Sequence, residues 1–121
     1  MWVCLNNGFV SIVEDRYNDT LVFVRSRRLS DLKNFLDKNR ADIKHTPSAD
    51  YQYRAHISKA ELADCLIQAS TKITYDNFKS SVKDVDLSHF YNDVWVSGIN
   101  NLDFNWYKRH NVSHTVGVTK A

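Results

Sequence analysis

Apolar positions fall into two periods along this chain, and the changes of period mark its elements. Residues 2–5 and 9–13 are short apolar runs parted by Asn6-Asn7-Gly8. Asn-Gly is the preferred pair for a type I′ turn, whose central residues both need positive φ, so a β-hairpin is predicted to turn here. A polar connection over 15–20 leads to Leu21-Val22-Phe23-Val24. That continuous, mostly β-branched run predicts a third strand covered on both faces.

The period then lengthens. Ser30 is placed as an N-cap, with Asp31 complementing the helix dipole and Leu32, Phe35 and Leu36 forming the stripe of a helix that ends near Asn39. A polar stretch over 40–50, broken by Ile43 and by Thr46-Pro47, precedes a return to period two. Tyr51, Tyr53, Ala55 and Ile57 alternate with Gln52, Arg54 and His56, which predicts a half-buried strand with both tyrosines on its inner face. Ser58-Lys59-Ala60-Glu61 is a capping box, and Leu62, Cys65, Leu66 and Ala69 line one face of the helix it opens. Asp76 is expected to cap a short helix burying Phe78 and Val82. A last helix is expected over 86–102, burying Phe90, Val94, Trp95, Ile99 and Leu102, with Gly98 weakening its second half.

After Leu102 the periodicity is lost. Phe104, Trp106 and Tyr107 stand beside Lys108 and Arg109 in a stretch of otherwise polar character. The order β-β-β-α-β-α-α-α predicts an α+β fold: a small antiparallel or mixed sheet of about four strands, opened by the hairpin, with helices packed on one face. The expected organisation is a single compact domain over 1–102 followed by an aromatic and basic tail over 103–121.

Composition narrows the class. A chain of 121 residues can bury roughly two-thirds of its unfolded surface, so neither a metal nor a disulfide is required for folding. One Pro and three Gly exclude collagen-like and low-complexity classes. No apolar run approaches the roughly 20 residues a membrane-spanning helix needs, so no membrane role is expected. The first residues lack the basic and apolar regions of a signal peptide, which points to the cytoplasm, bacterial or of an infected host cell. Cys4 and Cys65 lie in apolar stretches without Cys-X-X-Cys spacing and are expected to be reduced and buried.

The net charge of +2 is too balanced to announce a nucleic-acid partner, but it is unevenly spread: −2 over 1–24, +4 over 25–45, −2 over 46–102 and +2 over 103–121. The excess gathers at Arg25, Arg27 and Arg28, just ahead of a helix start, with Lys33 on that helix. Guanidinium forks beside outward-pointing amides suit phosphate or carboxylate, giving an anion-binding candidate. The competing reading is a solvated strand end paired with Asp31, Asp37 or Glu14. No continuous basic stripe, RNP1 octamer or KH Gly-X-X-Gly loop is present in the sequence.

Candidate chemistry is sparse. His89 and Asp93, four apart on the last predicted helix with Asp86 nearby, are the weak catalytic candidates, a carboxylate orienting an imidazole base. Capping and a surface ion pair explain the same residues. His110 and His114 share a helical spacing, but Asn111-Val112-Ser113 is poor helix material and no third ligand is near, so no metal site is expected and no cofactor is implied. The better interaction candidates are Phe104, Trp106, Tyr107, Lys108 and Arg109, since aromatics and Arg dominate interface hot spots.

Several short pieces resemble a group of small uncharacterised bacterial and tailed-phage proteins. They are Met1-Trp2-Val3 with Leu5-Asn6-Asn7, Ser11-Ile12-Val13, Val24-Arg25-Ser26-Arg27, Asp50-Tyr51-Gln52-Tyr53-Arg54-Ala55, Tyr75-Asp76-Asn77-Phe78-Lys79 with Ser81-Val82, and 84–95 containing His89, Tyr91 and Val94-Trp95. The likeness spans residues 1–96 and implies one compact domain and a phage or accessory gene product. It brings no activity, so no functional residue is carried over. The leading expectation is a small non-enzymatic protein-interaction module, such as a modulator or inhibitor of a host protein or a minor virion component. The alternatives are a nucleic-acid or polyanion-binding protein using Arg25–Arg28, and a small enzyme with His89 as base and Arg25 and Arg27 holding an anionic substrate.

Overall fold

The structure, a computed structural model, describes residues 1–37 and 42–112. Five antiparallel strands form one open sheet in the order β1-β2-β3-β5-β4, with β1 at Trp2–Leu5, β2 at Gly8–Glu14, β3 at Leu21–Ser26, β4 at Ile43–His45 and β5 at Tyr53–Ser58. The helices are α1 (Leu29–Leu36), α2 (Lys59–Thr71), α3 (Phe78–Ser81), α4 (Val85–Leu102) and α5 (Trp106–Arg109). The α+β class and the leading hairpin are as expected. The fifth strand lies in the stretch read as polar: β4 is three residues long and only Ile43 is partly buried, too little for a period to show.

Hairpin β1–β2 turns over Asn6-Asn7, with Leu5 paired to Gly8. None of these residues has positive φ, so the turn is not the type I′ that Asn-Gly suggests. Gly8 is needed for space instead, because a Cβ there would stand 2.9 Å from the Cα of Asp31. Strand β2 therefore presses against the start of α1.

Alternation sends Val10, Ile12, Val22, Val24, Ala55 and Ile57 to one face of the sheet, where Leu32, Phe35 and Leu36 of α1 and Cys65 of α2 close the main core. Each Val, Ile, Leu or Phe side chain among them contributes about 1.5–3 kcal/mol when fully buried. The capping box of α2 forms as predicted: Glu61 N–H donates to Ser58 Oγ at 3.0 Å, and Ser58 N–H to the Glu61 carboxylate at 3.0 Å. Helix α1 departs from expectation at both ends. Arg28, not Ser30, is the N-cap and uses extended backbone rather than a side chain. The helix ends at Leu36, where Asp37 takes φ 51, short of the predicted Asn39, which lies outside the described residues.

Phe9 points away from Val10 and forms a second cluster with Tyr51, Val82, Leu87 and Tyr91. This cluster holds α4 at the hairpin end, where the Tyr91 hydroxyl lies 2.8 Å from the carbonyl oxygens of both Leu5 and Gly8. The buried face of α4 is Leu87, Tyr91, Val96 and Ile99. Phe90, Val94, Trp95 and Leu102 are exposed, contrary to expectation. Tyr91 is the reason: its ring is buried and its hydroxyl satisfied by main chain, so the helix turns Tyr91 inward and swings its neighbours out. The short helix α3 is capped by Asn77, which accepts from Ser80 N–H at 3.0 Å, rather than by Asp76. Neither cysteine is in a disulfide; Cys65 is buried as expected, whereas Cys4 is exposed because it lies on the side of β1 away from the main core.

Candidate binding face

Strand β3 is fully buried only on the face that α1 and α2 close, and its second face is half-exposed, correcting the expectation of cover on both faces. Buried Val22, Val24 and Ser26 alternate with half-buried Leu21, Phe23 and Arg25. On this second face the register aligns Trp2, Ser11, Arg25, Arg54 and Lys44 in one row across all five strands. An indole thus stands at one edge and three cations run to the other.

Arg25 donates to Ser11 Oγ at 2.7 Å, and its buried Nε has no partner among the described residues. The guanidinium carbons of Arg25 and Arg27 lie 4.8 and 4.5 Å from the centre of the Tyr51 ring. Cation–π attraction holds both positive groups on one aromatic platform. Arg54 Nε donates to the Tyr51 carbonyl at 3.2 Å, while the nearest carboxylate, that of Asp50, is 3.8 Å away. Tyr51 and Tyr53 part company, correcting the reading that placed them together. Tyr51 precedes β5, so strand alternation does not govern it, and it joins the Phe9 cluster, whereas Tyr53 packs on the main core and stacks with His45.

Beside the arginines, a groove of about 510 Å³ opens between β1, β2 and α4. Its apolar walls are Trp2, Phe9, Leu87, Phe90 and Val94, and the Cys4 thiol and the Asp86 carboxylate also line it. Trp2 is 71% exposed, Val94 48% and Phe90 39%, so the three project into a surface that nothing in the chain covers among the described residues. Desolvation beside these walls pushes the Cys4 thiol above its ordinary value.

The other predicted residues are dispersed. Arg28 is a structural tie: it contacts Asp31 at 2.8 Å and Asp84 at 3.0 Å, and Asp31 in turn accepts from Phe9 N–H at 3.1 Å. Hydrogen bonding to Asp31 raises the Arg28 pKa further, which fixes its charge in place. Lys33 is exposed on α1, the helix that covers the opposite face. The four residues of the expected anion site therefore split: Arg25 and Arg27 share the Tyr51 ring, Arg27 and Arg28 line one groove, and Lys33 stands apart.

His89 is exposed and lines a separate cleft with Lys79, Val82, Ser88, Tyr91 and Asn92. No hydrogen bond or ion pair joins it to Asp93 or Asp86 among the described residues. The enzyme reading requires His89, Asp93 or Asp86, and Arg25 and Arg27 in one pocket, whereas Asp86 and Arg27 line the groove beside β1 and His89 lines the other cleft. His56, by contrast, meets Asp15 at 2.9 Å and packs against Phe23 with ring centres 3.6 Å apart and ring planes tilted by 33°. Asp15 is held below the usual carboxylate range, chiefly by the Tyr17 amide and then by His56.

Part of the aromatic and basic tail is structured. Tyr107 is 6% exposed and its hydroxyl donates to Asn100 Oδ1 at 3.2 Å. Trp106 packs edge-on to Trp95 at 5.6 Å and stacks on His110 at 4.2 Å. Arg109 makes a two-pronged pair with Asp103 at 2.7 and 2.6 Å, which lowers the Asp103 pKa. Phe104 and Lys108 are exposed. His114 lies outside the described residues.

The row was missed in the sequence because Arg25, Arg54 and Lys44 are far apart in the chain. The outward position of Arg54 and His56 on β5 was legible from alternation, but the strand pairing that sets them beside Arg25 was not. No family model, curated protein or solved structure matches this chain.

Proposed function

We propose that the protein is a small non-enzymatic interaction module whose contact surface is the groove between β1, β2 and α4. The observation that carries this reading is the exposure of Trp2, Phe90 and Val94 around one recess. Clustered large apolar side chains left in water are the mark of a surface completed by something else. The resemblance to phage proteins favours a host protein or a neighbouring virion protein as that partner. A second reading, polyanion binding, is favoured by the row Arg25, Arg54 and Lys44, in place of the Arg25–Arg28 cluster first considered.

Capture from host lysate at low salt, followed by native mass spectrometry, tests both. A protein partner retained by the wild type and by the surface control Lys33→Ala, but lost by Trp2→Ala/Phe90→Ala, is the expected result. Equal capture by the double variant removes the groove from the account. Co-purified nucleic acid released steeply by salt supports the second reading, because affinity set by phosphate contacts falls with counterion concentration.

A further inference from the structure

We infer that this face takes an acidic segment of a partner protein, with an aromatic or large aliphatic side chain anchored in the groove. The inference rests on the reading of the groove as the contact surface and adds the chemistry of what fills it.

The argument starts from charge. Neighbouring strands stand about 4.8 Å apart, so Arg25, Arg54 and Lys44 present three positive groups side by side. Like charges directly opposed across strands destabilise a sheet. The protein does little to relieve this. Asp50 comes no closer to Arg54 than 3.8 Å, and exposed Asp42, in the same cleft as Lys44, forms no ion pair among the described residues. Arg27 adds a fourth cation over Tyr51. A ligand carrying carboxylates supplies the missing anions, and guanidinium forks bind carboxylate in two-pronged fashion.

The groove decides between an acidic protein segment and a nucleic acid. Sequence-tolerant binding of single strands needs successive exposed aromatic faces beside a basic track. Here Phe9 and Tyr51 are buried, the Tyr51 ring is already occupied by guanidinium groups, and the exposed rings of Trp2 and Phe90 wall one recess rather than following one another along the basic row. Asp31 and Asp86 line the groove with Arg27 and Arg28, so its charges offset one another and its apolar walls suit an uncharged side chain better than a phosphate or a carboxylate. A peptide separates the two chemistries, placing carboxylates on the row and one apolar side chain among Trp2, Phe90 and Val94.

The test is selection of random dodecapeptides displayed on phage against the full chain. One selected peptide is then synthesised and its affinity measured by fluorescence anisotropy. The expected result is enrichment of acidic residues flanking an aromatic or large aliphatic one, with affinity at least tenfold weaker for Arg25→Gln/Arg54→Gln and for Phe90→Ser. Lys44→Gln, at an exposed sheet edge, is expected to weaken binding several-fold and serves where the arginine pair fails to fold. Enrichment of neutral apolar peptides, lost on Trp2→Ala/Phe90→Ala, overturns the acidic assignment and leaves the groove reading standing. Unchanged affinity in the charge variants overturns it in the same way. No enriched peptide, with labelled oligothymidylate bound instead, overturns both.

Discussion

Gly8 and Gly98 are both glycines inside regular elements, yet the surroundings give them opposite roles. A Cβ at Gly8 would meet the Asp31 main chain at 2.9 Å, and backbone cannot yield as a flexible side chain does. Gly8→Ala is therefore expected to cost about 1–3 kcal/mol through overpacking. Gly98 has nothing within 4 Å of the same position and ordinary helical φ, so its freedom only enlarges the unfolded ensemble. Gly98→Ala is expected to stabilise the protein by about 0.5–1 kcal/mol. Urea unfolding of the two variants checks both signs in one experiment. The sequence showed that Gly98 weakens a helix but misjudged Gly8 as a turn residue, because a close approach between β2 and α1 leaves no mark in local spacing.

At the scale of elements, the start of α4 is joined to the sheet by charge. Asp84 caps the helix by accepting from Leu87 N–H at 3.0 Å and also meets Arg28, which holds Asp31 beneath Phe9. The Leu87 amide, followed by Arg28, keeps the Asp84 carboxyl below its ordinary 3.8. A pKa lower in the folded state gives a contribution that is complete above 3.8, where both states are ionised. It declines as pH falls below 3.8, where the unfolded chain takes up its proton first, and is lost once the folded carboxyl is protonated too. Asp84→Asn keeps a good cap but removes the charge. The variant is expected to be less stable than wild type at neutral pH, and the gap to close on acidification through this range in thermal unfolding. Capping was legible at Ser58, where both members of the box are local. It was misplaced at Ser30 and Asp76, because the chain's path out of β3 and into α3 decides which residue stands at the helix start. The face of α4 was misread for a related reason: Tyr91 counts as half polar until the Leu5 and Gly8 carbonyls are seen to satisfy it.

Across the whole molecule, two surfaces compete for the role of contact site, and the structure sets them apart. The groove is built from β1, β2 and the first half of α4, whereas α5 packs at the other end of that helix, through Trp106 on Trp95 and Tyr107 on Asn100. The aromatic content of 104–107 was legible in the sequence, but its division between a buried Tyr107 and an exposed Phe104 was not, since no period runs through four residues. Tyr107→Ala removes a buried ring and is expected to cost on the order of 1.5–3 kcal/mol. Peptide affinity at the groove is expected to stay unchanged, because α5 meets α4 at Trp95 and Asn100, neither of which lines the groove. Deletion of 103–121 is expected to behave alike, lowering the melting temperature without weakening binding at temperatures where the domain stays folded. The reverse pattern, full stability with partner binding lost, would transfer the contact surface to Phe104, Lys108 and the residues beyond them. A paired measurement of melting temperature and affinity on these two variants therefore separates a helix that completes the fold from one that meets a partner.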